Sequence, residues 1–138
     1  MKKTLFYALS VIWGFPMTLV GFAVAFVLTN LGYQSKKHGF CYYFEVGNAW
    51  GGVNLGIVVV TSKNPTTHTL NHEHGHALQN CIWGPLMPFV ISLPSAARYW
   101  SMRLKQSKGE KLEPYDSIWF EGQASEWGEL FVNSLEAE

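Results

Sequence analysis

The sequence predicts an α+β fold: an N-terminal transmembrane helix, a small antiparallel sheet, and a motif-bearing helix packed on a C-terminal helix that carries a glutamate. Three observations predict it. Residues 5–31 are almost wholly apolar. Residues 38–61 contain two stretches rich in aromatic and β-branched side chains. The chain then carries His72-Glu73-His74-Gly75-His76, a spacing typical of a helix that binds a metal ion.

Composition limits the class of protein. The chain has 138 residues, the size of one domain, and 48% of them are apolar. Ten basic and ten acidic residues give a formal net charge of zero, and no long basic run is present, so we expect no nucleic-acid partner. Cys41 and Cys81 are too few for a disulfide framework. We expect buried thiols, with a disulfide as the alternative outside the cytosol.

The first predicted element is the apolar run. As a helix, residues 5–31 would extend about 40 Å, which is enough to cross a bilayer with some tilt. We therefore divide the chain into a transmembrane anchor, residues 1–35, and a domain, residues 36–138. The alternative is a cleaved signal peptide, because residues 23–25 (Ala-Val-Ala) form a small-x-small site. Apolar sequence continues past that site, which favours a retained single-pass anchor in the membrane.

The distribution of cations bears on orientation. Lys2 and Lys3 before the apolar run are matched by Lys36 and Lys37 after it. A later cationic cluster tips the count towards a cytoplasmic domain; its members are Arg98, Arg103, Lys105, Lys108 and Lys111.

Two stretches predict the sheet. Residues 38–47 contain a run of aromatic side chains, and residues 53–61 contain Ile57 followed by three valines. We expect one strand from each stretch and antiparallel pairing between them, beside the next helix. Later, residues 82–100 are apolar but interrupted by prolines, which predicts a core helix or a segment that dips into the bilayer. A second full crossing is the alternative.

The motif lies on a helix that we expect to run from about Thr66 to Trp83. Residues four apart share one face of a helix, so the imidazoles of His72 and His76 can bind one ion. Glu73 follows the first histidine, and its carboxylate therefore lies beside that ion. Nitrogen ligands, an open coordination position and a nearby base are what a zinc hydrolase needs.

A catalytic zinc usually takes three protein ligands. His68 is on the same helix but about 12 Å from His76 along the axis, so both cannot bind one ion. His74 points to the opposite face. The third ligand must therefore come from another element.

The last helix, expected from residue 114 to about Leu135, offers that ligand. We choose Glu121, because its face also carries Gly122, Ser125 and Gly128, and small residues let two helix backbones approach closely. Glu126 lies off this face and is therefore only the alternative.

With these residues the sequence resembles the gluzincin-type zinc metallopeptidases, in a small membrane-associated form related to the CAAX prenyl endopeptidases. Their pattern is H-E-x-x-H followed by a glutamate, often within E-x-x-A-D. The counterpart here is Glu121-Gly122-Gln123-Ala124-Ser125, with Ser125 in place of the aspartate. The resemblance covers about residues 55–128 and implies a minimal zincin-like domain.

The resemblance implies a zinc metalloendopeptidase that hydrolyses peptide bonds of a peptide or protein substrate at or near a lipid bilayer. Zinc would be held by the three ligands named above, and Glu73 would act as general base. Tyr115 is a possible oxyanion donor, and Tyr99 is a second candidate. The alternative is a non-catalytic zinc-binding membrane protein that acts as a structural or interaction module. The presence of Ser125 in place of the aspartate is the reason for this alternative.

Overall fold

A computed structural model describes residues 3–111 and 118–137, and it confirms the α+β class. The elements, in order, are α1 (Lys3–Ala8), a π-helical turn (Leu9–Trp13), α2 (Phe15–Asn30), β1 (Lys36–His38), β2 (Cys41–Glu45), β3 (Gly52–Leu55), β4 (Val58–Thr61), α3 (Thr67–Trp83), a 3₁₀ turn (Gly84–Leu86), a second π-helical turn (Pro88–Ser92), α4 (Leu93–Ser107) and α5 (Trp119–Glu136).

The sheet is mixed, so the predicted antiparallel pairing was wrong. Its strand order is β1-β2-β4-β3, and the central pair, β2 with β4, is parallel. The stretch predicted as one strand over residues 53–61 is a hairpin, because Gly56 turns the chain with a φ of 74°. The side chain of Asn54 bonds both the N–H and the carbonyl of Gly56 and closes this turn. The turn places β3 at one edge of the sheet.

The N-terminal apolar run is two helical arms rather than one continuous helix. The chain bends by 96° between residues 3–13 and the helix Phe15–Asn30. Within residues 3–111 and 118–137, no helix taken singly is both long and apolar enough to cross a bilayer, although the two bent arms together meet that test. The transmembrane anchor of residues 1–35 and its separation from residues 36–138 stay predictions.

The first arm contributes to the main core. Phe6 is fully buried in a cluster with residues of the sheet and of α3, including Cys41 and Ala77. The hydroxyl of Ser10 lies 3.4 Å from the sulfur of Cys81. Both cysteines are buried and free, as the sequence predicts.

The segment after α3 packs on one side only. Met87 and Ile91 are buried in a second cluster with Met17 of α2 and Phe120 of α5. No residue of α4, which the structure describes throughout, is buried. A membrane crossing by residues 82–100 stays a prediction. None of the helices that the structure describes there is both long enough and apolar enough to span a bilayer.

Helices α3 and α5 pack backbone against backbone. A Cβ atom on Gly75 would overlap the carbonyl group of Ala124, and one on Gly128 would overlap the carbonyl group of Asn71. Two helices can come this close only where side chains are missing. Every residue from 71 to 81 is buried, by this contact, by the sheet and by the N-terminal arm. The predicted packing of the motif helix on a glutamate-bearing C-terminal helix is therefore present.

Candidate metal centre

Helix α3 begins where the sequence predicts. Pro65 precedes it, and the Thr66 hydroxyl accepts a hydrogen bond of 3.1 Å from the Thr69 N–H, which caps the first turn. From this start the motif falls in the middle of the helix. The rings of His72 and His76 are one turn apart, with centroids separated by 4.7 Å and planes at 89°.

Both imidazoles meet a carboxylate oxygen of α5. Oε2 of Glu121 lies 2.9 Å from Nε2 of His72 and 3.2 Å from Nε2 of His76, and all three residues are buried. The ligand atoms lie within 4.8 Å of one another. Bonds of ~2.0–2.1 Å around a tetrahedral zinc place its ligand atoms about 3.3 Å apart, so the spacing suits such an ion. The group can hold a metal ion, whereas Glu126 is exposed elsewhere on α5.

Gln79 orients the second histidine. Its amide nitrogen donates to the carbonyl of Phe120 at 2.8 Å and to Oε1 of Gln123 at 3.0 Å. Its oxygen therefore accepts from Nδ1–H of His76, at 2.7 Å. In a neutral imidazole this leaves the lone pair on Nε2, the atom that faces Glu121.

Ser125 supports the first histidine in the same way. Its hydroxyl lies 2.8 Å from Nδ1 of His72. The resemblance to E-x-x-A-D places an aspartate at this position, and the serine makes an uncharged polar contact there. Each histidine thus has a partner at Nδ1, which leaves its Nε2 atom directed at the carboxylate.

Glu73 follows His72 on α3 and lies beside this group. Its Oε2 atom is buried and has no hydrogen-bond partner among the described residues. Burial raises the pKa of Glu73, and the nearby imidazoles of His76 and His72 only partly oppose the shift. Such a carboxylate binds a proton more readily than one in water.

The edge strand β3 holds Glu73 in place. The amide nitrogen of Asn54 donates to the backbone carbonyl of Glu73 at 3.1 Å. A Cβ atom on Gly52 would lie 3.0 Å from Oε1 of Glu73, so the missing side chain lets the carboxylate lie against the strand. Sequence reasoning missed both residues, because their role depends on a contact between a strand and a helix that local patterns do not encode.

The charges of Glu73, His76 and Glu121 affect one another's pKa values. Burial raises the pKa of the Glu121 carboxyl, but hydrogen bonds with His72 and His76 outweigh it and hold that pKa well below its usual range. Burial lowers the pKa of His76, whereas the contact with Glu121 and the charge of Glu73 raise it, and the net shift is upward. The site therefore favours an anionic carboxylate with positive charge beside it.

A cavity of about 390 Å³ opens next to Glu73 and His76. Strand β3 forms one wall and α4 the other, and the floor consists of Met17, Met87 and Ile91. Most of its lining is apolar. The space suits a large apolar side chain placed beside Glu73 and His76.

The remaining predicted residues have separate places. Tyr115 lies outside the described residues. Tyr99 lines the cavity from α4. His68 is exposed at the mouth of a second, smaller cavity. His74 is fully buried on the opposite face of α3, where its Nε2 atom accepts a hydrogen bond of 3.0 Å from the Phe40 N–H and burial lowers its pKa to about 4.

Comparison with known proteins adds no family to this geometry. No family model matches the sequence, and the searches of curated proteins and of solved structures returned no match. The likeness to gluzincin-type peptidases therefore stays a prediction.

Proposed function

We propose that the protein is a zinc-dependent metallopeptidase, with His72, His76 and Glu121 as metal ligands and Glu73 as general base. One observation carries the proposal: two imidazole Nε2 atoms and a carboxylate oxygen converge in a buried site. Acceptor atoms that face one another repel unless a cation or a proton lies between them. A metal ion satisfies all three at once.

The donor set favours zinc among the common metals. Two imidazole nitrogens and one carboxylate suit a borderline ion, and three protein ligands leave a fourth position open. When bound there, zinc would polarise a substrate carbonyl and acidify a water molecule. Gln79 and Ser125 keep the two rings turned towards the ion through their contacts with Nδ1.

Glu73 carries the proton transfers of the proposed reaction. Its raised pKa makes it a better base than an exposed carboxylate, so it takes a proton from the attacking water and passes it to the leaving amine. Asn54 and Gly52 hold its backbone and side chain against β3. The apolar cavity beside it orients the substrate by one side chain. An oxyanion contact from Tyr115 or Tyr99 remains part of the proposal.

The test combines metal content with turnover. The purified protein should contain close to one zinc ion per chain and should cleave unfolded casein. A Glu73→Gln variant should keep its zinc and lose roughly 10²- to 10⁴-fold of the cleavage rate. The matched control is Glu126→Gln, an exposed position on α5, which should keep both. A zinc content below one ion per two chains would contradict the assignment of the three ligands. Unchanged cleavage by Glu73→Gln would contradict the proposed peptidase activity.

A second function is supported by the place of the site between α3 and α5. An ion bound there would join two helices, and Ser125 lacks the charge that the related motif has, so the protein would be a non-catalytic zinc-binding module. In that case chelation lowers the melting temperature, no substrate is cleaved, and Glu73→Gln behaves as the parent does.

A further inference from the structure

Helix α2 and the segment from residue 82 to residue 107 expose large apolar side chains to an unusual extent. Ten of them are more than half exposed, and we call the six most exposed the apolar surface: Leu19, Phe26, Phe89, Leu93, Trp100 and Leu104. Isolated exposed apolar residues are ordinary, whereas a concentration of large ones marks a contact with another apolar phase.

The two elements that carry this surface are neighbours. Met17 of α2 packs with Met87 and Ile91, and the Ser92 hydroxyl donates to the Met17 sulfur at 3.7 Å. Just before α2, in the π-helical turn, the Trp13 indole donates to the carbonyl of Ile82 at 3.1 Å. The two elements that carry the exposed side chains therefore form one region of the molecule.

The charges of this region all have one sign. No acidic residue precedes Glu45, and between it and Glu110 the only one is the buried Glu73. Helix α4 carries three cations and no anion: Arg98, Arg103 and Lys105. The acidic residues gather instead on α5, where the exposed ones include Glu126 and Glu129.

We propose that the apolar surface seats in the headgroup and outer acyl region of an anionic lipid bilayer, with the cations of α4 at the phosphates. An apolar face bordered by basic side chains is the pattern of segments that lie in a membrane interface. This seating needs no helix that crosses the bilayer, and the bent arms of residues 3–30 suit it.

The seating also positions the cavity. Leu93 and Trp100 belong to the apolar surface and line the cavity as well. The cavity mouth therefore lies at the bilayer interface. If the proposed hydrolysis holds, a substrate reaches Glu73 from that interface and presents an apolar side chain first.

Vesicle flotation tests the proposal without zinc or substrate, so its failure leaves the proposed hydrolysis standing. The full chain is mixed with phosphatidylcholine vesicles that do or do not contain phosphatidylglycerol. We expect it to float with the anionic vesicles and to be released by high salt. Leu104→Glu should lower the bound fraction about tenfold. The matched control is Leu130→Glu: Leu104 is 58% exposed and Leu130 of α5 is 63% exposed.

A charge variant provides a second test of membrane binding if Leu104→Glu misfolds. Lys105→Glu should weaken binding to anionic vesicles about tenfold, whereas Lys63→Glu, at an exposed cation beyond the apolar surface, should not. Equal flotation of Leu104→Glu and Leu130→Glu would overturn the proposal. So would a parent chain that stays with the soluble fraction, or one whose apolar surface is covered by a second copy in a stable dimer.

Discussion

Helices α3 and α4 depart from an ordinary amphipathic helix in opposite senses. In α3, eleven consecutive residues are buried, among them three histidines, a glutamate and three amides. In α4, no residue is buried, although Leu93, Trp100 and Leu104 are large and apolar. Polar groups stay inside a protein only where partners satisfy them, and apolar groups stay outside only where another phase covers them.

The two helices differ in what their side chains contact. The buried polar groups of α3 contact other parts of this chain, whereas the large apolar side chains of α4 stay exposed. Within α3, Gln79 makes three hydrogen bonds, and the carboxylate of Glu121 meets two imidazoles. Two of the three Gln79 partners and the Glu121 carboxylate come from α5, so the contact between the two helices satisfies several of the buried polar groups of α3. Helix α4 instead covers one side of the cavity and directs its opposite side outwards.

The largest effect should come from the α3–α5 contact. Gly128→Ala places a methyl group on the backbone carbonyl of Asn71, and a backbone cannot move aside as a side chain can. We expect a loss of about 3 kcal/mol in the free energy of unfolding, at the upper end of overpacking costs, measured by urea denaturation. Glu129→Ala, the exposed neighbour, should change it by less than about 0.5 kcal/mol. Equal midpoints for the two variants would contradict the close packing.

Removing the shared carboxylate should have the next largest effect. Glu121→Gln takes away the anion that faces both imidazoles, and we expect the affinity for zinc to fall more than ~100-fold by competition with a chelator. Glu126→Gln on the same helix should bind zinc as the parent does. If the two variants bind zinc equally well, the third ligand is a different residue.

A smaller effect should follow from Ser125→Ala. The variant loses the contact with Nδ1 of His72 but keeps all three ligands, so zinc affinity should fall about tenfold. The control is Ser134→Ala, whose hydroxyl bonds only a carbonyl of its own helix in the described contacts. A loss as large as that of Glu121→Gln would mean that Ser125 does more than orient the ring.

The smallest effect should be on α4. Leu104→Gln removes an exposed apolar side chain, and in aqueous solution it should change the free energy of unfolding by less than about 0.5 kcal/mol. A loss above about 2 kcal/mol would show that α4 is covered by part of the chain itself. That result would contradict the difference in burial between α3 and α4.

Local signals account for what the sequence predicts well. The bounds of α3 follow from Pro65, the cap at Thr66 and the glycine after Trp83, all within one turn of the helix ends. The choice of Glu121 rests on the small residues around it, which the close approach of α5 to α3 explains.

Contacts between distant segments explain what it predicts badly. The parallel pairing of β2 with β4 depends on the Gly56 hairpin, which places β3 outside the pair. The 96° bend near Gly14 depends on the burial of Phe6 in the core, and Pro16 signals only that a break occurs nearby. Gln79 is visible as a polar residue in the sequence, but its partners on α5 are not.

The glycines of the α3–α5 contact also constrain how such a chain can diverge. The obstacle at Gly75 and at Gly128 is a peptide carbonyl, which every amino acid carries. No second mutation in the partner helix can therefore relieve a larger residue at either position. In homologous proteins these two glycines should therefore be invariant and should not covary with other positions. Together with the histidine pair they form a sequence pattern by which distant homologues can be identified.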